Sequence, residues 1–285
     1  MAAFVRLASE SLPQSEVVFF RNFMALLILL PLLYHKKISL KTSHFGLHLL
    51  RTLIGLSAMY LYFYALFHLP LADALLLNYT SPLFITLFAV LWLKERWTKN
   101  RQIAAVIGLI GVALLFHPSS NIASFAGVLG LVSGAFAGLA LTMVKRLSKT
   151  EPGLRIVVMF ALGGSIISFI PMLWTFQWPS QEAWGWLIAM GLFGSLAQLS
   201  LTQAYQLAPV SQVSSMSYTS LLFAGIIGFL FWNESPDLLG LFGGCIIIAA
   251  GITVAREHPE PAPEPPGSVP IIESQTNAES DKTRM

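Results

Sequence analysis

Charge is what this chain has least of. Of 285 residues, 11% are Asp, Glu, Lys or Arg and 55% are hydrophobic, where a soluble domain carries about 25% charged residues. A water-soluble fold needs polar surface that this composition cannot supply. Cysteine is nearly missing: Cys245 stands alone inside an apolar stretch, which excludes a disulfide framework or a thiolate metal cluster. The formal net charge of +3 is small, and the basic residues lie between apolar runs, so nucleic acid is excluded as a partner. No H-E-x-x-H, G-x-S-x-G, phosphate loop or paired intramembrane Asp occurs. No catalytic residue, metal site or cofactor is therefore assigned, and the chain is not read as an enzyme. The N-terminus lacks the charged region and small-residue site of a cleavable signal.

What the chain does have is apolar runs long enough to cross a hydrocarbon core, for which about 20 residues suffice. They fall at Val17–Tyr34, His48–Phe67, Ala72–Trp92, Gln102–Phe116, Ala123–Val144, Ile156–Phe176, Trp184–Leu207, Val210–Trp232 and Leu238–Ala255. The short run Met1–Leu7 precedes them. Spans in lipid must satisfy their own backbone hydrogen bonds, so these runs are helices. The loops alternate in charge. Lys36, Lys37, Lys41, then Lys94, Arg96, Lys99, Arg101, then Lys145, Arg146, Lys149, Arg155 occupy one set, and the other set carries no Lys or Arg. The positive-inside rule then places both termini in the cytoplasm of a bacterial-type inner membrane. Trp92, Trp97, Trp174, Trp178, Trp184, Trp186 and Trp232 lie at or near span ends, as an aromatic belt requires. From Arg256 onward the Glu- and Pro-rich tail favours a disordered, solvated chain.

The two halves repeat. Ala65–Phe84 aligns with Ala204–Phe223 at an offset of 139: Pro70 meets Pro209, Tyr79-Thr80-Ser81 meets Tyr218-Thr219-Ser220, and Glu95 meets Glu234. Earlier the offset is 140, with Arg6-Leu7 meeting Arg146-Leu147. Five spans per unit invert the second unit in the membrane. The expected fold is thus all-α and polytopic, with two inverted five-helix repeats over 1–116 and 123–255 and a tail over 256–285. Inverted repeats are a mark of secondary transporters, with the site near midplane at the repeat interface. Met1 maps onto Leu141, yet the sixth span begins about sixteen residues earlier, at Phe125–Ala140. The expectation is nine full spans plus a stub, with the start of the first helix upstream and poor transport by the chain as written.

These residues resemble the drug/metabolite transporter superfamily, of the ten-helix EamA type. The resemblance rests on EVVFFRN at Glu16–Asn22, LRTLIGLSAMYLYFYAL at Leu50–Leu66, the YTSPLF and LKER stretches, and the terminal AAGITV run. More weakly, the LKTS…H…LR…G..AM pattern of Leu40–Met59 is similar to S-adenosylmethionine uptake transporters. The resemblance implies a carrier of small organic metabolites.

Charge inside a span costs about 2.5–3.5 kcal/mol and tends to be functional. Arg21 sits about one turn into the second span from outside, and Arg51 a similar depth into the third from inside. Each could hold a substrate carboxylate bidentately or snorkel toward headgroups. No midplane Asp or Glu stands in the visible spans. Polar stripes complete the candidates: Ser57, Tyr60 and Tyr64; Asn78 and Ser81, beside Pro82; Ser195, Gln198, Thr202 and Tyr205; and Ser211, Ser214 or Ser215, with Tyr218. Each stripe could instead serve interhelical bonding. Gly130, Gly134 and Gly138 form a packing ridge, and His44 and His48 are an H-x-x-x-H pair too sparse for a metal site.

The leading reading is alternating-access transport of a small molecule such as an amino acid, a nucleoside-like compound or S-adenosylmethionine, with the lipid bilayer as surroundings. A non-transporting scaffold or sensor, or an intramembrane enzyme, are the alternatives. The residues leave substrate, direction, and monomer against homodimer open. A reporter fused after Ala255 should behave as cytoplasmic and one at Ser119 as external; the reverse pattern would overturn the topology. Leucine at Gln198 or Asn78 should lower transport while protein level holds.

Overall fold

Backbone that must bond to itself in an apolar medium forms helices, and every regular element among the described residues is one. The structure is a computed structural model, and it describes residues 2–9, 11–69, 71–94, 99–116, 124–220, 223 and 238–255. In chain order these form α1 (Ala2–Ser9), α2 (Gln14–His35), α3 (Phe45–His68), α4 (Leu71–Asn78), α5 (Ser81–Leu93), α6 (Lys99–Phe116), α7 (Phe125–Leu147), α8 (Gly153–Thr175), α9 (Gln181–Leu207), α10 (Val210–Met216) and α11 (Leu238–Ala255). Six stretches are long and apolar enough to cross a membrane: α2, α3, Asp73–Leu93 across α4 and α5, α7, α8 and α9. The apolar parts of α6 and α11 are shorter, Gln102–Leu114 and Leu241–Ala250. Outside the described residues lie, among others, Pro70, Glu95, Arg96, Trp97, residues 117–123, most of the expected ninth span from 221 with Trp232 and Glu234, and the tail 256–285.

The expected spans correspond to helices with two corrections. Val210–Trp232 was expected as one helix, but α10 ends at Met216 and the chain turns at Ser217-Tyr218. Ala72–Trp92 was likewise expected as one helix, but the chain breaks at Tyr79-Thr80 into α4 and α5. Pro82 is the cause, because its nitrogen cannot donate to the Asn78 carbonyl and its ring opposes that turn. Thr80 covers part of the break by donating its hydroxyl to the Leu77 carbonyl at 2.6 Å.

An open backbone in lipid survives only where protein covers it, and α7 does the covering. A β-carbon at Gly134 would stand 2.5 Å from Thr80 Oγ1 and 2.8 Å from the Leu77 carbonyl; at Gly138 it would stand 2.8 Å from Phe84 Cβ. The glycine ridge read from sequence is thus the face that lets α7 lie against the break. On its other side α7 packs extensively on α3. α2 packs on α8 and α9, and α6 on α11.

α2 and α8 run antiparallel, and side chains tie both ends. At one end the Ser15 and Thr175 hydroxyls bond at 2.5 Å, and Glu16 accepts the Gln177 N–H at 2.5 Å. At the other, Arg155 Nε donates to the Ser39 carbonyl at 2.6 Å. Ser124 and Ser180 cap the N-termini of α7 and α9 by accepting otherwise unbonded N–H groups. Lys145 Nζ closes the far end of α9, donating to the Tyr205 and Ala208 carbonyls at 2.5 and 2.7 Å.

Gly134→Leu should destabilise the protein by about 1–3 kcal/mol, the usual cost of overpacking, read as a lower melting temperature in detergent. Gly185→Ala, where a β-carbon meets nothing within 4 Å, should leave the melt unchanged. Equal melts for the two variants would show that α7 does not seal the break.

Candidate functional site

Two adjacent glycines on α8 bring the arginines together. A β-carbon at Gly163 would meet Thr52 Cγ2 at 3.0 Å, and one at Gly164 would meet Asn22 at 2.9 Å. That absence of side chain seats Thr52 from α3 and Asn22 from α2 against α8. The residue preceding each is an arginine, and both guanidiniums then face Phe160, one turn earlier on α8. Arg51 Cζ lies 3.5 Å from the ring centroid and Arg21 Cζ 5.6 Å. Gly55 gives the Arg51 head its room, since a β-carbon there would stand 2.8 Å from Nη1.

Neither arginine reaches the surface, with relative exposures of 5% for Arg21 and 3% for Arg51. Arg21 Nη1 donates to Asn22 Oδ1 at 3.1 Å, and Asn22 donates to the Val18 carbonyl at 2.8 Å. Arg51 Nε and Nη1 are buried with no hydrogen-bond partner. Among the described residues no carboxylate pairs with either group. A desolvated cation–π contact contributes about 2 kcal/mol, less than the several kcal/mol that burying one ion costs. The arrangement holds two cations for which the described residues provide no anion.

The helix break holds a second polar group. Asn78 Nδ2 donates to Ser133 Oγ at 3.4 Å, and Ser133 donates to the Gly130 carbonyl at 2.6 Å. Ser81, half-buried, opens α5 beside it. Tyr79, beside the break, and Ser220, after α10, join through their hydroxyls at 2.8 Å.

The remaining sequence candidates do not gather at one point. Tyr60 borders the cluster of Phe20, Leu56 and Met190, while Tyr64 stacks on His68 at 4.0 Å beside Ala65 and Ala126. Tyr205 is enclosed by Ile85, Val144 and Ile156, and Tyr218 by Leu76, Val112 and Ile247. The Tyr60, Tyr205 and Tyr218 hydroxyls are buried without a partner. Thr202 donates to the Gln198 carbonyl and Ser195 to the Gly191 carbonyl, each at 2.7 Å, so both hydroxyls serve their own helix. Gln198 is half-buried.

Sequence reasoning passed over Asn22, Phe160 and Glu151. Asn22 carried a signal, a polar residue beside an in-span arginine with a glycine pair on α8 to receive it, and Phe160 carried none. Glu151, in the turn between α7 and α8, is 5% exposed. It accepts the Thr42 hydroxyl on Oε1 and Arg155 Nη1 on Oε2, the latter at 2.6 Å. Burial pushes its carboxyl up, but the bonds from Thr42 and Arg155 outweigh burial and hold it below the usual carboxylate range. It ties the α2–α3 loop to the α7–α8 turn.

Comparison with known proteins bears on this geometry. The EamA-like transporter family model matches residues 1–117 and 124–256. The pseudopaline exporter of Pseudomonas aeruginosa is 33% identical over 259 residues, spanning 90% of this chain and 91% of that protein. The S-adenosylmethionine uptake transporter of Rickettsia felis is 28% identical over 241 residues, 84% of this chain and 82% of its own. A solved crystal structure shares the fold with a TM-score of 0.77 at 18% identity, over 90% of this chain and 91% of that one. These matches bear out the resemblance read from the EVVFFRN and YTSPLF stretches. With several apolar helices and relatives that are transporters rather than enzymes, the chain is a membrane transport protein and belongs to the EamA-like transporter family.

Proposed function

We propose that the protein is a secondary transporter of a small organic metabolite carrying a carboxylate or similar anionic group, working by alternating access. The observation that carries this reading is the pair Arg21 and Arg51, buried over Phe160 with no carboxylate partner among the described residues. A guanidinium binds a carboxylate through two parallel bonds, so an anion there would supply the missing charge and the acceptor that Arg51 lacks. The relatives' names supply the substrate class, small metabolites, and include both an exporter and an uptake carrier.

Alternating access here uses two inverted repeats, 1–116 and 123–255. Helix packing supports that reading, because contacts recur when the halves exchange roles. α3 on α7 has its counterpart in α9 on α1, and α2 on α9 in α8 on α3, while α2–α8 and α6–α11 map onto themselves. The basic loops place both termini in the cytoplasm and the chain in the inner membrane. Asn78, Ser81, Gln198, Thr202, Tyr60, Tyr64, Tyr205 and Tyr218 line the path or steady the helices that do; the tail 256–285 lies outside the described residues.

Counterflow in liposomes holding the purified protein tests this, with labelled S-adenosylmethionine and a panel of amino acids and nucleosides. At least one carboxylate compound should accumulate. Arg51→Gln and Arg21→Gln should each cut its uptake about tenfold or more, as expected for losing a hydrogen bond to a charged group, about 1.5–3 kcal/mol. Both should purify as the wild type does. Wild-type uptake in both variants would sink the anion-site reading.

A further inference from the structure

One turn before Arg51 on α3 stands His48, 2% exposed and with neither ring nitrogen hydrogen-bonded. Buried polar atoms are nearly always bonded, so this imidazole is held ready for a partner it lacks. The titratable and charged groups that face it are Glu151, Arg51, Arg155 and His44. His48 Nε2 lies 4.0 Å from Glu151 Oε2, the oxygen that already accepts Arg155 Nη1. His44 Nδ1 lies 3.6 Å from Oε1, which takes the Thr42 hydroxyl as well. One carboxylate is thus shared among an arginine and two imidazoles, with a second arginine close behind. Residues three apart on a helix are neighbours on one face, and Arg51 is among the charges that act on His48.

We propose that His48 is a proton-binding site linked to Arg51, so that an anion seated on Arg51 draws a proton onto the imidazole and its departure releases that proton. The linkage rests on the anion reading given above. With Arg51 uncompensated, a second positive charge one turn away is opposed. Once an anion neutralises Arg51 that opposition goes, and the new N–H turns toward Glu151 at a distance it can close. The only bond made is N–H, its proton taken from water and returned to it. Linkage is reciprocal: protonation of His48 tightens anion binding by the same factor. Two ligands that bind together cross together, which couples anion movement to a proton with a histidine in place of a midplane carboxylate.

Ring-nitrogen-labelled histidine in the full-length protein, held in lipid nanodiscs, gives a direct reading by NMR, with His48→Asn identifying the resonance. The His48 signal should titrate as the pH is changed. Arg51→Gln should move its midpoint upward by about one pH unit, the effect of removing a nearby like charge, and Arg51→Lys should leave it in place. Arg51→Met, which keeps most of the side-chain length without its charge, should give the same upward shift, and Glu151→Gln should move the midpoint down. A His48 signal that does not change with pH, or a midpoint that Arg51→Gln and Arg51→Met both leave in place, overturns the proposal. No substrate enters the measurement, so its outcome is separate from that of the counterflow assay.

Discussion

Two guanidinium groups with no carboxylate partner among the described residues, set in an interior of hydrocarbon side chains, govern how the central helices can be arranged. Each cation must be shielded from lipid on every side, and the aromatic face of Phe160 can serve both at once. That requirement brings α2 and α3 onto the same stretch of α8. It also explains why α8 has two consecutive glycines where Asn22 and Thr52 arrive. A bulkier pair would hold both helices away and leave the charges facing acyl chains.

The broken fourth span poses the same problem with backbone in place of charge. Proline at position 82 leaves the turn open, and a glycine-lined helix laid across it is the remedy. α7 therefore has two tasks, since it also packs extensively on α3, the helix that carries Arg51. The polar residues at the break, Asn78 and Ser133, bond across this same contact. Charge site and backbone break thus share one supporting helix.

Much of this was legible beforehand, for identifiable reasons. Span positions follow from the cost of placing polar backbone and charge in lipid, which is large and local, so hydropathy locates α2, α3, α7, α8 and α9 closely. Pro82 and the spacing of Gly130, Gly134 and Gly138 were each visible, but that one covers the other depends on the crossing of two helices distant in sequence. Depth estimates put Arg21 and Arg51 near opposite faces, and their convergence on Phe160 comes from side-chain length and from the glycine pair. Glu151 sat unremarked in a turn because its meaning lies in Thr42 and Arg155, one of them on a distant loop. The tyrosines at 60, 205 and 218 had the right helical spacing, yet each occupies its own apolar neighbourhood. Periodicity shows which side of a helix is inward, not which neighbour it meets there.

Those solitary tyrosines have a consequence for the energetics of the fold. The hydroxyls of Tyr60, Tyr205 and Tyr218 stand in separate apolar surroundings, each buried without a hydrogen-bond partner among the described residues. A buried polar group left unbonded costs about 1–3 kcal/mol. Phenylalanine at any of the three would remove that cost and break no bond, so these positions weigh against the fold rather than for it.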